Sequence, residues 1–135
     1  EIQLQDIIDA RKIIEVPALE LACRRAGKDK IKKLQSYIEK MAKAVNNLPE
    51  FLKYDMLFHQ AIVEASENRV LVTAFEAISE YLKYSQVYTS IHEGQEDKAM
   101  DFHKKIFNAI KNKQKKRGAE ALARHLDGIV NGISV

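Results

Sequence analysis

The chain is sparing with the residues that make turns: five glycines and two prolines in 135 residues. That is about 5% of its length, where about 12% is usual. Sandwiches and barrels need a turn roughly every ten residues, built from Gly, Pro, Asn and Asp, so that class is set aside. A single cysteine, Cys23, excludes an internal disulfide and any zinc cluster built on cysteine, and it suits a reducing, cytoplasmic compartment. No run approaches the about 20 apolar residues of a membrane span, and the first residues do not resemble a secretory signal. Charge of neither sign dominates. The 22 basic and 19 acidic residues leave +3, too mild by itself to indicate a nucleic-acid binder. The chain opens at Glu1 without an initiator methionine, which reads as a fragment or a processed chain. What is present suffices for a core: 46% hydrophobic and 30% charged residues exclude wholesale disorder, and the length fits one domain.

Apolar residues recur at helical spacing almost end to end, predicting an all-α antiparallel bundle of about six helices. The first helix, at about 2–26, is expected to kink or restart at Pro17 and to end at Gly27. The second and third, at about 29–46 and 49–66, are parted by Asn46, Asn47 and Pro49. Asn68 is a plausible N-cap for a fourth, at about 69–89, which carries Tyr81, Tyr84 and Tyr88. Those tyrosines suit a pocket wall or packing in a core or interface. After a loop holding His92, taken as a surface residue, and Gly94, a fifth helix covers about 96–112 and a sixth about 115–133. Basic clusters at Lys28–Lys33 and Lys111–Arg117 lack interleaved aromatics and a helix-turn-helix pattern, and read as solvated helix ends.

The informative residues interrupt the apolar stripes. The third helix has the inward series Leu48, Phe51, Leu52, Asp55, Phe58, His59, Ile62, Ala65. The fifth has Ala99, Phe102, His103, Ile106 and Ile110, and the sixth has Leu122, His125, Ile129 and Ile133. If roughly 40% of helix positions face inward, three chosen histidines all do so with a probability of about 0.06. A lone inward histidine is ordinarily a satisfied core residue. Asp55 changes the balance, because a buried carboxylate needs a partner or a metal. Asp55 and His59, one turn apart, can aim two ligands at one ion, with His103 and His125 closing from two other helices. A buried Asp–His network without metal is the other reading. Arg11 also intrudes, among Leu4, Ile7, Ile8 and Ile14. It either pairs with Glu15 or Asp55 or receives an anionic ligand. Cys23 reads as packing.

Four segments together resemble the FCD domain, the C-terminal effector-binding domain of FadR-subfamily GntR transcription regulators. "DARKIIEVPALELACRRA" resembles the family's first stretch, lengthened by one residue around Ile14–Pro17. "YDMLFHQAIVEASENRVL" resembles its most specific motif, and "FHKKIFNAI" and "ALARHL" its two later histidine motifs in order and spacing. The resemblance implies Asp55, His59, His103 and His125 as ligands of one divalent transition metal, with zinc the leading candidate and nickel or another the alternatives. It also implies Arg11 as the contact for the carboxylate of a small effector, in a bundle with an internal metal and ligand pocket. Two positions would stay open on a six-coordinate ion. The acyl-CoA-binding branch lacks this metal set, so the chain groups with small-acid sensors. In such regulators the domain forms homodimers, and DNA is reached only through an N-terminal winged-helix domain that this chain does not contain. One departure is Gln114, standing where many members have an N-cap Asp, with Lys115, Lys116 and Arg117 set against the helix dipole.

Two other functions compete with an effector-sensing, non-enzymatic domain. A helical metalloenzyme would use the open metal positions to activate water, but no histidine has Glu three residues before it, which speaks against the di-iron class. The other is a metal-free dimerisation module with a buried polar network.

Overall fold

Why this sequence makes helices is plainest at its joints. Asn68 caps a helix by accepting from the backbone N–H groups of Val70 and Leu71 at 3.0 and 3.1 Å, as its position before an apolar run predicts. Asn47 does the same more weakly for Glu50, at 3.3 Å. The computed structural model describes the backbone of residues 1–90 and 95–134 and the side chains of residues 1–86 and 96–131. His92 and Gly94, and the side chains of Tyr88 and Ile133, lie outside the described residues. Within them are seven helices and no strand: α1 Leu4–Arg25, α2 Lys28–Lys43, α3 Leu48–Ala65, α4 Arg69–Ala77, α5 Ser79–Ser90, α6 Gln95–Lys111 and α7 Lys115–Ser134.

Two expectations are corrected. The predicted helix at 69–89 is two helices, because Ile78 leaves helical geometry (φ −98°, ψ 4°). The Ser79 hydroxyl donates back to the carbonyl of Glu76 at 2.8 Å, the local competition with the helix ladder that serine offers. Pro17 does not restart α1, which runs unbroken across it. Proline withholds the N–H that Ile13's carbonyl would accept, and Ile13 is 72% exposed, so water can take that role. α1 ends just before Gly27, as expected: Ala26 caps α1 through its N–H to Ala22 O at 2.8 Å, and Gly27, extended at φ −86°, is the N-cap of α2.

The main core is a continuous cluster that includes Ile8, Leu19, Leu34, Met41, Phe58, Ile62, Ile106, Ile110, Leu122 and Leu126, each fully buried or nearly so. A smaller cluster of Ala18, Val63, Phe75 and Leu82 sits under α4 and α5. The terminal helices α1 and α7 pack against each other, and α7 also packs on α6. Gly118 permits that approach. A Cβ there would lie 2.8 Å from Leu19 Cδ2 and 3.0 Å from Ala109 Cβ, closer than packed carbon atoms tolerate. The basic clusters are mostly exposed, with all of Lys111–Arg117 on the surface, as expected of solvated helix ends. Tyr81 and Tyr84 are 43% and 48% exposed, so they are not core residues. Leu48, expected on the inward stripe, is 36% exposed in the first turn of α3.

Candidate metal centre

The polar interruptions of three apolar stripes meet at one place. α3 contributes Asp55 and His59, α6 contributes His103, and α7 contributes His125. One ligand-capable atom from each lies within 4.8 Å of all the others. The three histidines are 1%, 0% and 7% exposed, and the Asp55 side chain is 14% exposed. The rings of His59 and His125 stack at 5.3 Å, and both stand edge-on to His103. Phe58 and Phe102 wall the group, against His103 at 4.9 Å and His125 at 5.5 Å.

The inner atoms are spaced as ligands of one ion would be. Asp55 Oδ1 is 3.5 Å from His59 Nε2 and 3.0 Å from His103 Nε2, and the two Nε2 atoms are 3.2 Å apart. With metal–ligand distances of about 2.1 Å, neighbouring ligands sit about 3.0 Å apart in an octahedron and about 3.4 Å apart in a tetrahedron. Asp55 Oδ1 is also buried without a directed hydrogen bond, and an orphaned carboxylate oxygen is costly unless a cation answers it. The donor set, three imidazoles and a carboxylate, suits a divalent transition metal. On each count the residues fit such an ion.

Behind these atoms lies a layer of partners. Glu15, on α1, places Oε1 2.5 Å from His59 Nδ1, and Nε2 of that ring faces the cluster. The other Glu15 oxygen accepts from Arg11 Nε at 2.6 Å. Arg11 therefore takes the first of its two expected protein partners, and its NH1 also donates to Ser85 Oγ at 3.3 Å. Gln86 Nε2 donates to Asp55 Oδ2 at 2.8 Å and to the carbonyl of Leu52 at 2.9 Å, turning Oδ1 toward the histidines. Residue patterns alone missed Ser85 and Gln86, and they read Glu15 as a partner of Arg11 but not of His59. The available signal for Glu15 was a second charge on the stripe that holds Ile8, Arg11 and Leu19.

Electrostatics suits cation binding. Burial alone would raise Glu15, but the Arg11 guanidinium and the His59 ring outweigh it and hold its pKa down to about 2. Burial likewise opposes the ionisation of Asp55, and the His103 and His59 rings beside it win, keeping it well below the usual carboxylate range. His125 is pushed well down by burial and then by its two fellow imidazoles, and His103 is lowered mainly by burial. For His59 burial is outweighed by Glu15, and its pKa is raised. Two imidazoles thus favour the neutral form that binds metal.

An all-α bundle with a buried His/Asp donor cluster between its helices defines the class of protein. The chain belongs to the FCD domain family, whose family model matches residues 6–128. It is 31% identical over 117 residues to the Glc operon transcriptional activator of Escherichia coli strain K12, covering 79% of this chain and 46% of that protein. It is 24% identical over 133 residues to the Uxu operon transcriptional regulator of the same strain, covering 92% of this chain and 51% of that protein. The chain spans about half the length of the curated relatives it matches. Among solved structures it resembles E. coli McbR/YncC with a TM-score of 0.83 at 20% identity, over 98% of this chain and 64% of that one. It also resembles the metal-free FCD domain of TM0439 with a TM-score of 0.78 at 21% identity, over 97% and 91% of the two chains. Among the described residues no helix is long and apolar enough to cross a membrane.

Proposed function

We propose that this chain is the effector-sensing and dimerising part of a GntR-family transcription regulator, and that it senses a small organic acid through a divalent metal. The observation that carries this is the donor geometry: Asp55 Oδ1, His59 Nε2 and His103 Nε2 lie 3.0–3.5 Å apart, with His125 beside them. A bound ion, zinc or nickel among those the donors suit, would supply open positions for a carboxylate. Arg11 is the anchor for that carboxylate. Its Nε edge is taken by Glu15, so an incoming anion meets the outer edge, next to Ser85. The relatives named as operon regulators support a role in transcription. DNA would be bound by a separate winged-helix domain, whose spacing in a homodimer the acid would bias. Such coupling is typically worth about 1–3 kcal/mol, or about 5- to 150-fold in affinity.

Titration of the metal-loaded protein with a panel of small mono-, di- and hydroxycarboxylates, followed by calorimetry, tests the reading. Saturable binding by one or a few acids is expected, lost in Asp55→Ala and weakened in Arg11→Gln. Indifference to every acid would refute it.

A further inference from the structure

Glu15 is completely buried, and the metal reading gives it no task. A buried carboxylate needs full compensation, yet its two oxygens are divided. Oε2 meets Arg11 Nε at 2.6 Å, whereas Arg11 NH2 reaches Oε1 only at 3.4 Å. Oε1 instead has its close contact with His59 Nδ1, at 2.5 Å. His103 Nδ1, by contrast, is buried with no hydrogen-bond partner. The bond crosses from α1 to α3, linking residues 44 apart in sequence, so it is no by-product of one helix's geometry. An imidazole that donates its far N–H to a carboxylate has its tautomer and its tilt fixed, and its other nitrogen becomes a stronger donor.

We infer that Glu15 is the positioning residue of the metal centre: it holds the His59 ring with Nε2 inward and makes that nitrogen a better ligand. This rests on the metal reading above. Arg11 draws on the same carboxylate, so Arg11 moderates the effect and does not create it. Arg11→Gln therefore leaves metal affinity unchanged or slightly higher. Loss of the Glu15 charge weakens it even when Arg11 is neutralised as well.

The test is the Kd for zinc, from competition with a chromophoric chelator, in the parent protein, Asp55→Ala, Glu15→Gln, Arg11→Gln and the double variant Arg11→Gln/Glu15→Gln. Glu15→Gln should bind zinc about 10- to 100-fold more weakly, the range for loss of an outer partner of a ligand. The double variant, which leaves no unpaired buried charge if the single one folds poorly, should stay as weak. In proton NMR the far-downfield Nδ1–H signal of His59 should disappear with the Glu15 charge. Full zinc affinity in Glu15→Gln would overturn the inference and leave the metal reading standing. Recovery in the double variant would also overturn it, by reducing Glu15 to a counter-ion for Arg11. No zinc binding by the parent protein would overturn both.

Discussion

α2 and α3 lie side by side in the same core, and they spend their buried positions differently. α2 buries Leu34 and Met41 completely, with Ile31, Tyr37 and Ile38 partly covered, and carries its charges outward. α3 buries Phe51, Phe58 and Ile62 in the same cluster but sets Asp55 and His59 among them. Hydrocarbon burial of about 25 cal/mol per Å² is reason enough for the stripe of α2. It gives no reason for α3's, where desolvating a carboxylate and an imidazole works against folding. The contrast separates positions that hold the bundle together from positions that the proposed function gives to a ligand.

Four measurements would break or sharpen that contrast. Leu34→Ala should cost about 2–5 kcal/mol of stability in urea unfolding, while the folded fraction keeps its metal affinity; a matching loss of affinity would mean that the two helices do not divide their labour. Asp55→Ala should do the reverse, lowering zinc affinity by more than the about 100-fold that loss of an outer partner costs and leaving the chelator-treated protein helical by circular dichroism. Gly118→Ala, at the crossing of α1, α6 and α7 and far from any ligand role, should destabilise by about 1–3 kcal/mol through overpacking, with zinc affinity untouched. The smallest net effect is that of pH on the metal-free protein. His103 and His125 have lowered values in the folded state, so the stability they lend is present above the ordinary histidine value of 6.5 and is lost as pH falls below it. His59 is raised and offsets part of this, since its contribution is complete at low pH and disappears as pH rises through its folded value. Glu15 adds a further loss between its ordinary 4.5 and about 2. A metal-free melting temperature that rises on acidification from neutrality would contradict that balance.

Much of this arrangement was legible in the residues. Asp55, His59, His103 and His125 stood out because each falls on a stripe that is otherwise apolar, and helical period alone puts such residues on the inner face. Gln86 and Ser85 were not legible, because the break at Ile78 resets the helical phase and an expected single helix from 69 to 89 puts later residues out of register. That α1 continues through Pro17 without a fresh start was hidden for a different reason. The rule against interior proline assumes a carbonyl that nothing else can satisfy, whereas Ile13 is on the wet side of α1. The Glu15–His59 bond joins two helices, and no local pattern encodes which inward charge will face which inward imidazole.

The pairing of α1 with α7 has a consequence for the order of events in synthesis. Leu4 leaves the ribosome about a hundred residues before Lys115, a delay of about 5–20 s at usual elongation rates. Until α7 arrives, the side of α1 that packs on it has no partner, and the cluster has at most three of its four side chains. A nascent chain can form the Arg11–Glu15 pair within one helix, but His125 follows only with α7. On the metal reading proposed above, full coordination would be a property of the finished domain, and a truncated product would be a poor competitor for metal.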